Sequence, residues 1–110
     1  MGIAKGESPL VEAVDSSNFN EKVLNSNVPV LVDFFQLHCL PCKKVAPVLE
    51  EASEIIGDKG RIVSVQLEKS PDIVIEYDVF SFPTMILFNN GEATKRIVGP
   101  RPLEAILELF

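Results

Sequence analysis

The sequence predicts an α/β fold: a central mixed sheet of about five strands, flanked by helices on both faces. Three observations lead there. Short apolar runs alternate with helix-period segments in the order strand, helix, strand, helix, strand, helix, strand, strand, helix, which calls for parallel crossovers. The run at 28–35, Val-Pro-Val-Leu-Val-Asp-Phe-Phe, is too continuously apolar to leave one face wet, so it reads as a central strand covered on both sides. Asn89-Asn90-Gly91 stands between two strand-like runs and signals a tight hairpin, which adds an antiparallel pair at one side.

Residues 1–8 read as a flexible segment and residues 9–110 as a single domain. Residues 9–14 form a short edge strand, with Pro9 at its start, where a missing donor is tolerated. Asn18 or Ser17 is placed to cap a short helix over 19–24, and Asn25-Ser26-Asn27 ends it. The helical pattern over 43–56 sets Val45, Val48, Leu49, Ala52, Ile55 and Ile56 at helical spacing, with Glu50, Glu51 and Glu54 on the other side. Pro47 lies inside it and predicts a kink, because it removes a donor and crowds the preceding turn. Gly57 and Gly60 end it, and 61–67 is a second buried strand. Ser70 as cap and Pro71 at the first helical position start a short helix over 72–77. Strands follow at 83–88 and 92–98. Gly99-Pro100 breaks the chain, and an amphipathic helix over 102–110 closes it.

Hydrophobic residues make up 46% and charged residues 24% of the chain, the balance of a folded globular domain. A net charge of −6 argues against nucleic acid or an anionic membrane surface as the main partner. No apolar run approaches the roughly 20 residues that span a bilayer, and the N-terminal residues lack the apolar core of a secretory signal. Gly6 occupies the position where a myristoylation pattern wants Ser or Thr. The simplest address is the cytoplasm, and the expected state is a monomer.

The chemistry concentrates in His38-Cys39-Leu40-Pro41-Cys42-Lys43-Lys44, which holds both cysteines. Residues i and i+3 in a first helical turn face each other, so a disulfide closes there without moving the fold. The free N–H groups and positive dipole end of the helix favour a thiolate on the first sulfur. Cys39 reads as the exposed nucleophile and Cys42, one turn in, as the resolving thiol. Lys43 and Lys44 add positive charge nearby, although ordinary solvated helix residues would look the same. Pro41 pre-sets the first turn and removes a donor that would be unpaired anyway. The competing reading, half of a zinc site, lacks ligands: a structural site wants four, and the chain offers two Cys and one His. No metal is expected.

Taken together, Val32-Asp33-Phe34-Phe35, Cys39-Leu40-Pro41-Cys42-Lys43, Ala46-Pro47, Phe82-Pro83-Thr84, Phe88-Asn89-Asn90-Gly91-Glu92 and Val98-Gly99 give a chain that resembles the thioredoxin family along nearly its whole length. The resemblance implies the thioredoxin fold and thiol–disulfide exchange, with Cys39 as nucleophile and Cys42 as resolver. It implies a cis bond before Pro83, a proline that stacks on the disulfide and leaves a backbone edge for the substrate chain. Asp33 matches the buried carboxylate that takes up and releases a proton as Cys42 attacks. Its place in an apolar strand is awkward on its own terms, since burial raises a carboxyl's pKa and costs stability. An aspartate merely satisfied by a neighbouring hydroxyl or water is the alternative.

The chain departs from the family pattern on the active surface. His38 stands where Trp is usual and Leu40 where Gly is usual. Phe82 replaces the common Ile or Thr, and Ser64 takes the place of a lysine that often neighbours the buried aspartate. As a cation, His38 would stabilise the Cys39 thiolate and make the disulfide a better oxidant; as a plain surface residue it would not. Leu40, Phe80, Phe82 and Val98, with Gly99, form an expected apolar rim that binds extended or loop substrates, unless the phenylalanines belong to the core. The expected function is reduction of protein disulfides through Cys39 and Cys42, with electrons from a thioredoxin-reductase-like donor and no cofactor beyond the redox-active disulfide. A thioredoxin-like binding or chaperone module, or a disulfide oxidase or isomerase, are the alternatives.

Overall fold

A computed structural model describes residues 10–110; the expected flexible segment 1–8 and Pro9 lie outside the described residues. Five strands, β1 (Glu12–Val14), β2 (Val30–Phe35), β3 (Arg61–Gln66), β4 (Thr84–Asn89) and β5 (Glu92–Val98), form one sheet in the order β1-β3-β2-β4-β5. β3 pairs parallel with both β1 and β2, while β4 runs antiparallel to β2 and β5. The sheet is mixed, as the element order requires: helical crossovers separate the parallel strands, and a two-residue turn joins the antiparallel pair. Asn90 (φ 53°) and Gly91 (φ 82°) both take the left-handed backbone that such a turn needs.

β2 is the axis of the molecule, and its side chains alternate between two core layers. Val30, Val32 and Phe34 join Val23, Val63, Val65, Ile73, Val74, Ile86 and Phe88 on one face. Leu31 faces the other way, into Val45, Leu49, Ala52, Ile62, Met85, Leu87 and Ile106. The first layer is closed by the short helix Asn20–Leu24 and by α2 (Pro71–Glu76), and the second by α1 (Leu40–Ile56) and α3 (Leu103–Leu107). The continuous apolar run therefore needs both faces covered, and it has them.

Several local expectations are corrected. Asn18 does not cap the first helix: its Oδ1 accepts the Asp15 N–H at 2.9 Å, and the helix is a π-type turn in which Asn25 N–H bonds Asn20 O. Asn and Asp side chains that find a nearby turn amide are lost to the helix. Ser70 stands at the N-cap of α2, but its hydroxyl makes no cap and accepts the Ser16 N–H at 3.2 Å instead. The central strand begins at Val30 rather than 28, and the edge strand at Glu12. The closing helix is shorter than the apolar spacing over 102–110 suggests. In the other direction, α1 begins at Leu40, three residues earlier than its apolar pattern, and runs unbroken through Pro47 to Ile56.

Candidate active site

β2 delivers the chain to the N-terminus of α1 through Gln36, Leu37 and His38. Leu37 N–H is held by both carboxylate oxygens of Glu68 at 3.2 Å, and His38 turns the chain with φ 57°, a conformation that His tolerates better than β-branched residues do. Cys39 is the N-cap of α1, with Leu40 and Pro41 as the first helical residues. One of the helix's unpaired amides, Cys42 N–H, points at Cys39 Sγ from 3.2 Å. Cys39 and Cys42 form a disulfide, with their Cα atoms 5.2 Å apart.

The expectation of an exposed nucleophile is corrected: Cys39 is only 6% exposed, against 5% for Cys42. The cover comes from the segment ahead of β4. The Phe82–Pro83 peptide is cis, and the Phe82 carbonyl oxygen lies 3.8 Å from Cys39 Sγ. Pro83 is buried, and its carbonyl accepts the Gly99 N–H at 2.7 Å. Gly99 adopts φ 90° as the chain leaves β5, so glycine is required there.

Around the disulfide the apolar rim divides. Leu40 (64%), Phe80 (86%) and Val98 (48%) are exposed, whereas Phe82 is half-buried and packs against the first core layer. Leu37, three positions before Leu40, is also exposed at 51%, which the sequence pattern does not single out. His38, Pro41, Lys43 and Lys44 are all exposed.

Asp33 sits beneath this surface. Strand alternation turns it to the α1 side, where it and Cys42 line one cleft of about 370 Å³. It is 5% exposed, and its Oδ1 has no hydrogen-bond partner. Burial pushes its carboxyl up to about 7. Ser64 is its direct neighbour in the β2–β3 register and lines the same cleft, yet gives it no hydrogen bond. An aspartate satisfied by a neighbouring hydroxyl is thus not what is found.

Helical spacing sets Glu50, with Glu51 and Glu54, on the side of α1 away from its apolar residues. It is half-buried, and its two carboxylate oxygens accept Leu10 N–H at 2.9 Å and Val11 N–H at 3.0 Å, forming a far wall of the cleft. Nothing in the pattern of α1 distinguishes it from Glu51 or Glu54. Among the described residues no group of three or more His, Cys, Asp or Glu side chains is placed to hold a metal ion.

Comparison with known proteins bears on this arrangement directly. A family model described as thioredoxin matches residues 10–110. The chain is 43% identical over 103 residues to a thioredoxin of Mycolicibacterium smegmatis, covering 92% of each protein. It is 37% identical over 90 residues to thioredoxin 1 of Synechococcus elongatus, covering 82% of this chain and 84% of that one. It is also 43% identical over 104 residues to a bifunctional thioredoxin reductase/thioredoxin of Mycobacterium leprae, where the match takes in 94% of this chain and 22% of the longer relative. A family match across all the described residues, carried by a five-stranded mixed sheet and by a disulfide closed over the first turn of α1, shows that the chain belongs to the thioredoxin family of thiol–disulfide oxidoreductases.

Proposed function

We propose that the protein reduces protein disulfides by dithiol exchange through Cys39 and Cys42. The observation that carries this reading is the Cys39–Cys42 disulfide at the helix N-terminus, with the buried Asp33 carboxyl lining the same cleft as Cys42. In the dithiol form, the Cys39 thiolate attacks one sulfur of the substrate disulfide. The substrate S–S bond breaks, a mixed disulfide forms, and the other substrate sulfur leaves as a thiolate. Cys42 then gives its proton to Asp33 and attacks Cys39 Sγ, which releases the second substrate thiolate and closes the Cys39–Cys42 disulfide. A carboxyl near pH 7 suits that exchange, since it is close to half ionised where the protein works.

The substrate chain lies along Leu40, Phe82, Pro83, Val98 and Gly99, with apolar segments favoured by the exposed Leu40 and Val98. His38, Pro41 and Lys43 tune the potential from the helix N-terminus. Electrons return through a thioredoxin-reductase-like donor; the Mycobacterium leprae relative, named for both activities, supports that partner. The protein works as a monomer in the cytoplasm with no cofactor beyond its disulfide, and binds neither nucleic acid nor membrane. No helix among the described residues is long and apolar enough to cross a membrane.

A redox titration against dithiothreitol and glutathione buffers, with alkylation of free thiols, tests the reading. A two-electron midpoint of about −270 mV, the value for thioredoxin, is expected. An oxidising midpoint would instead assign the oxidase or isomerase direction and implicate His38. Replacing either cysteine with serine should abolish catalytic reduction of insulin. Full retention of a partner's activity in the double Cys39→Ser, Cys42→Ser variant would make the chain a binding module.

A further inference from the structure

The segment that covers Cys39 is held from β5, a strand that carries none of the reacting groups. After α2 the chain turns through Asp78 in a left-handed conformation (φ 54°) and runs by way of Val79, Phe80 and Ser81 to Phe82, whose carbonyl oxygen lies 3.8 Å from Cys39 Sγ. A helix leaves its last carbonyls without donors of its own. Here the carbonyls of Ile73, Val74 and Ile75 accept the N–H groups of Tyr77, Val79 and Asp78 at 3.1, 3.0 and 3.1 Å. The carbonyls of Tyr77 and Asp78 themselves meet no backbone amide among the described residues.

Both accept instead from one side chain 19 and 18 positions away. Arg96 Nη2 donates to Tyr77 O, and Arg96 Nη1 donates to Asp78 O at 3.3 Å. Arg96 lies in β5 directly opposite Ile86, a member of the first core layer, which places it on the α2 side of the sheet. A guanidinium suits this place, since its rigid fork offers two donors at once and its charge is favoured at a helix C-terminus. The downstream end of the segment is pinned separately, by Thr84 Oγ1 donating to Ser81 O at 2.7 Å. Between the two pins Val79 is buried, while Phe80 projects into solvent.

We propose that Arg96 is a positioning residue for disulfide exchange: it caps α2 from β5 and fixes the segment from Val79 to Phe82 in the shape that receives a substrate chain beside Cys39. The proposal rests on the reading that substrate chains lie along Phe82 and Pro83. A loop already ordered in its binding shape loses less conformational freedom when a partner docks. Arg96 therefore acts on the binding of chain-like substrates, through Phe80 and Phe82, and not on the exchange between sulfurs. A small disulfide that does not lie along the segment is indifferent to it.

The test compares Arg96→Met with the parent. In ¹⁵N-labelled disulfide-form protein, the heteronuclear ¹H–¹⁵N NOE of residues 78–82 should fall while values in β2 and α1 stay the same. With dithiothreitol as reductant, KM for insulin should rise about fivefold at unchanged kcat. The rate at which the dithiol form reduces cystine should not change. Arg96→Lys, which keeps the cation without the fork, should recover part of both effects. Arg61→Met is the control. Arg61 also donates to a distant carbonyl, Lys22 O at 3.5 Å, but from the start of β3 opposite Val30, at the end of β2 away from the cysteines. That variant should match the parent in every readout. Unchanged NOE values in Arg96→Met, an equal loss with insulin and cystine, or the same changes in Arg61→Met would each overturn the proposal. A parent protein inactive toward insulin would instead overturn the reductase reading, and the NOE comparison, made without turnover, would still decide whether Arg96 orders the segment.

Discussion

The two faces of β2 are built by the same six residues and do opposite things. On one face Val30, Val32 and Phe34 enter a sealed layer, completed by Phe19, Tyr77 and Phe88. Phe88 meets both other rings edge-on, at centroid distances of 5.7 and 5.1 Å. On the other face Leu31 is sealed just as well, but Asp33, two residues on, opens onto a cleft shared with Cys42. One strand thus carries the stability of the domain on one side and a costly buried acid on the other. Pleating makes that division possible, since neighbouring residues never share a face.

The largest expected effect breaks the sealed side. Phe88→Ala removes a ring that is 1% exposed and should cost about 3–5 kcal/mol. Urea unfolding would measure it, and activity per folded molecule should stay the same. A parallel loss of activity would mean that the two faces are not separable.

The open side should respond in the opposite sense. Burial raises the Asp33 carboxyl from its ordinary 3.8 to about 7 in the fold. Between those values the native state binds more protons than the unfolded one, so stability is highest below about pH 4, falls toward pH 7 and then levels off. A shift of that size corresponds to an upper figure of about 4 kcal/mol. Asp33→Asn should therefore be more stable than the parent at pH 8, by up to that amount, and should lose the advantage in acid. Urea unfolding of both proteins across this range gives the difference curve, and a flat difference would show that the carboxyl is not destabilised by burial. Slower mixed-disulfide resolution in the same variant would tie the cost to turnover.

Smaller effects lie at the junction of the faces. His38→Val should cost about 1–2 kcal/mol, because a β-branched residue resists the φ of 57°, while His38→Gly should not be destabilising. Thermal unfolding separates the two. Smallest of all, Leu40→Ser should raise KM for protein disulfides a few-fold, roughly 1 kcal/mol, with little change for a small disulfide. An equal loss for both substrates would remove Leu40 from the substrate surface.

What the sequence made legible was local. The apolar run of β2, the Cys-x-x-Cys spacing and the Asn90-Gly91 turn each carry their signal within a few residues, and Asp33 announces itself by interrupting the run. The burial of Cys39 was not legible, because its cover comes from Phe82, 43 positions away. Glu50 hides for the same reason: its partners, Leu10 and Val11, lie 40 and 39 positions distant. The caps expected of Asn18 and Ser70 failed through competition, since each side chain found an amide outside its helix.

The Glu50 fork has a mechanical meaning. Leu10 and Val11 precede β1, whose ladder to β3 is only three residue pairs long. Tension on the chain from upstream reaches the fork first and passes into the middle of α1, the longest element of the domain. The chain is thereby tied to α1 at two successive amides before the three-residue edge strand begins, so the shortest strand of the sheet is not the first point at which the polypeptide is held.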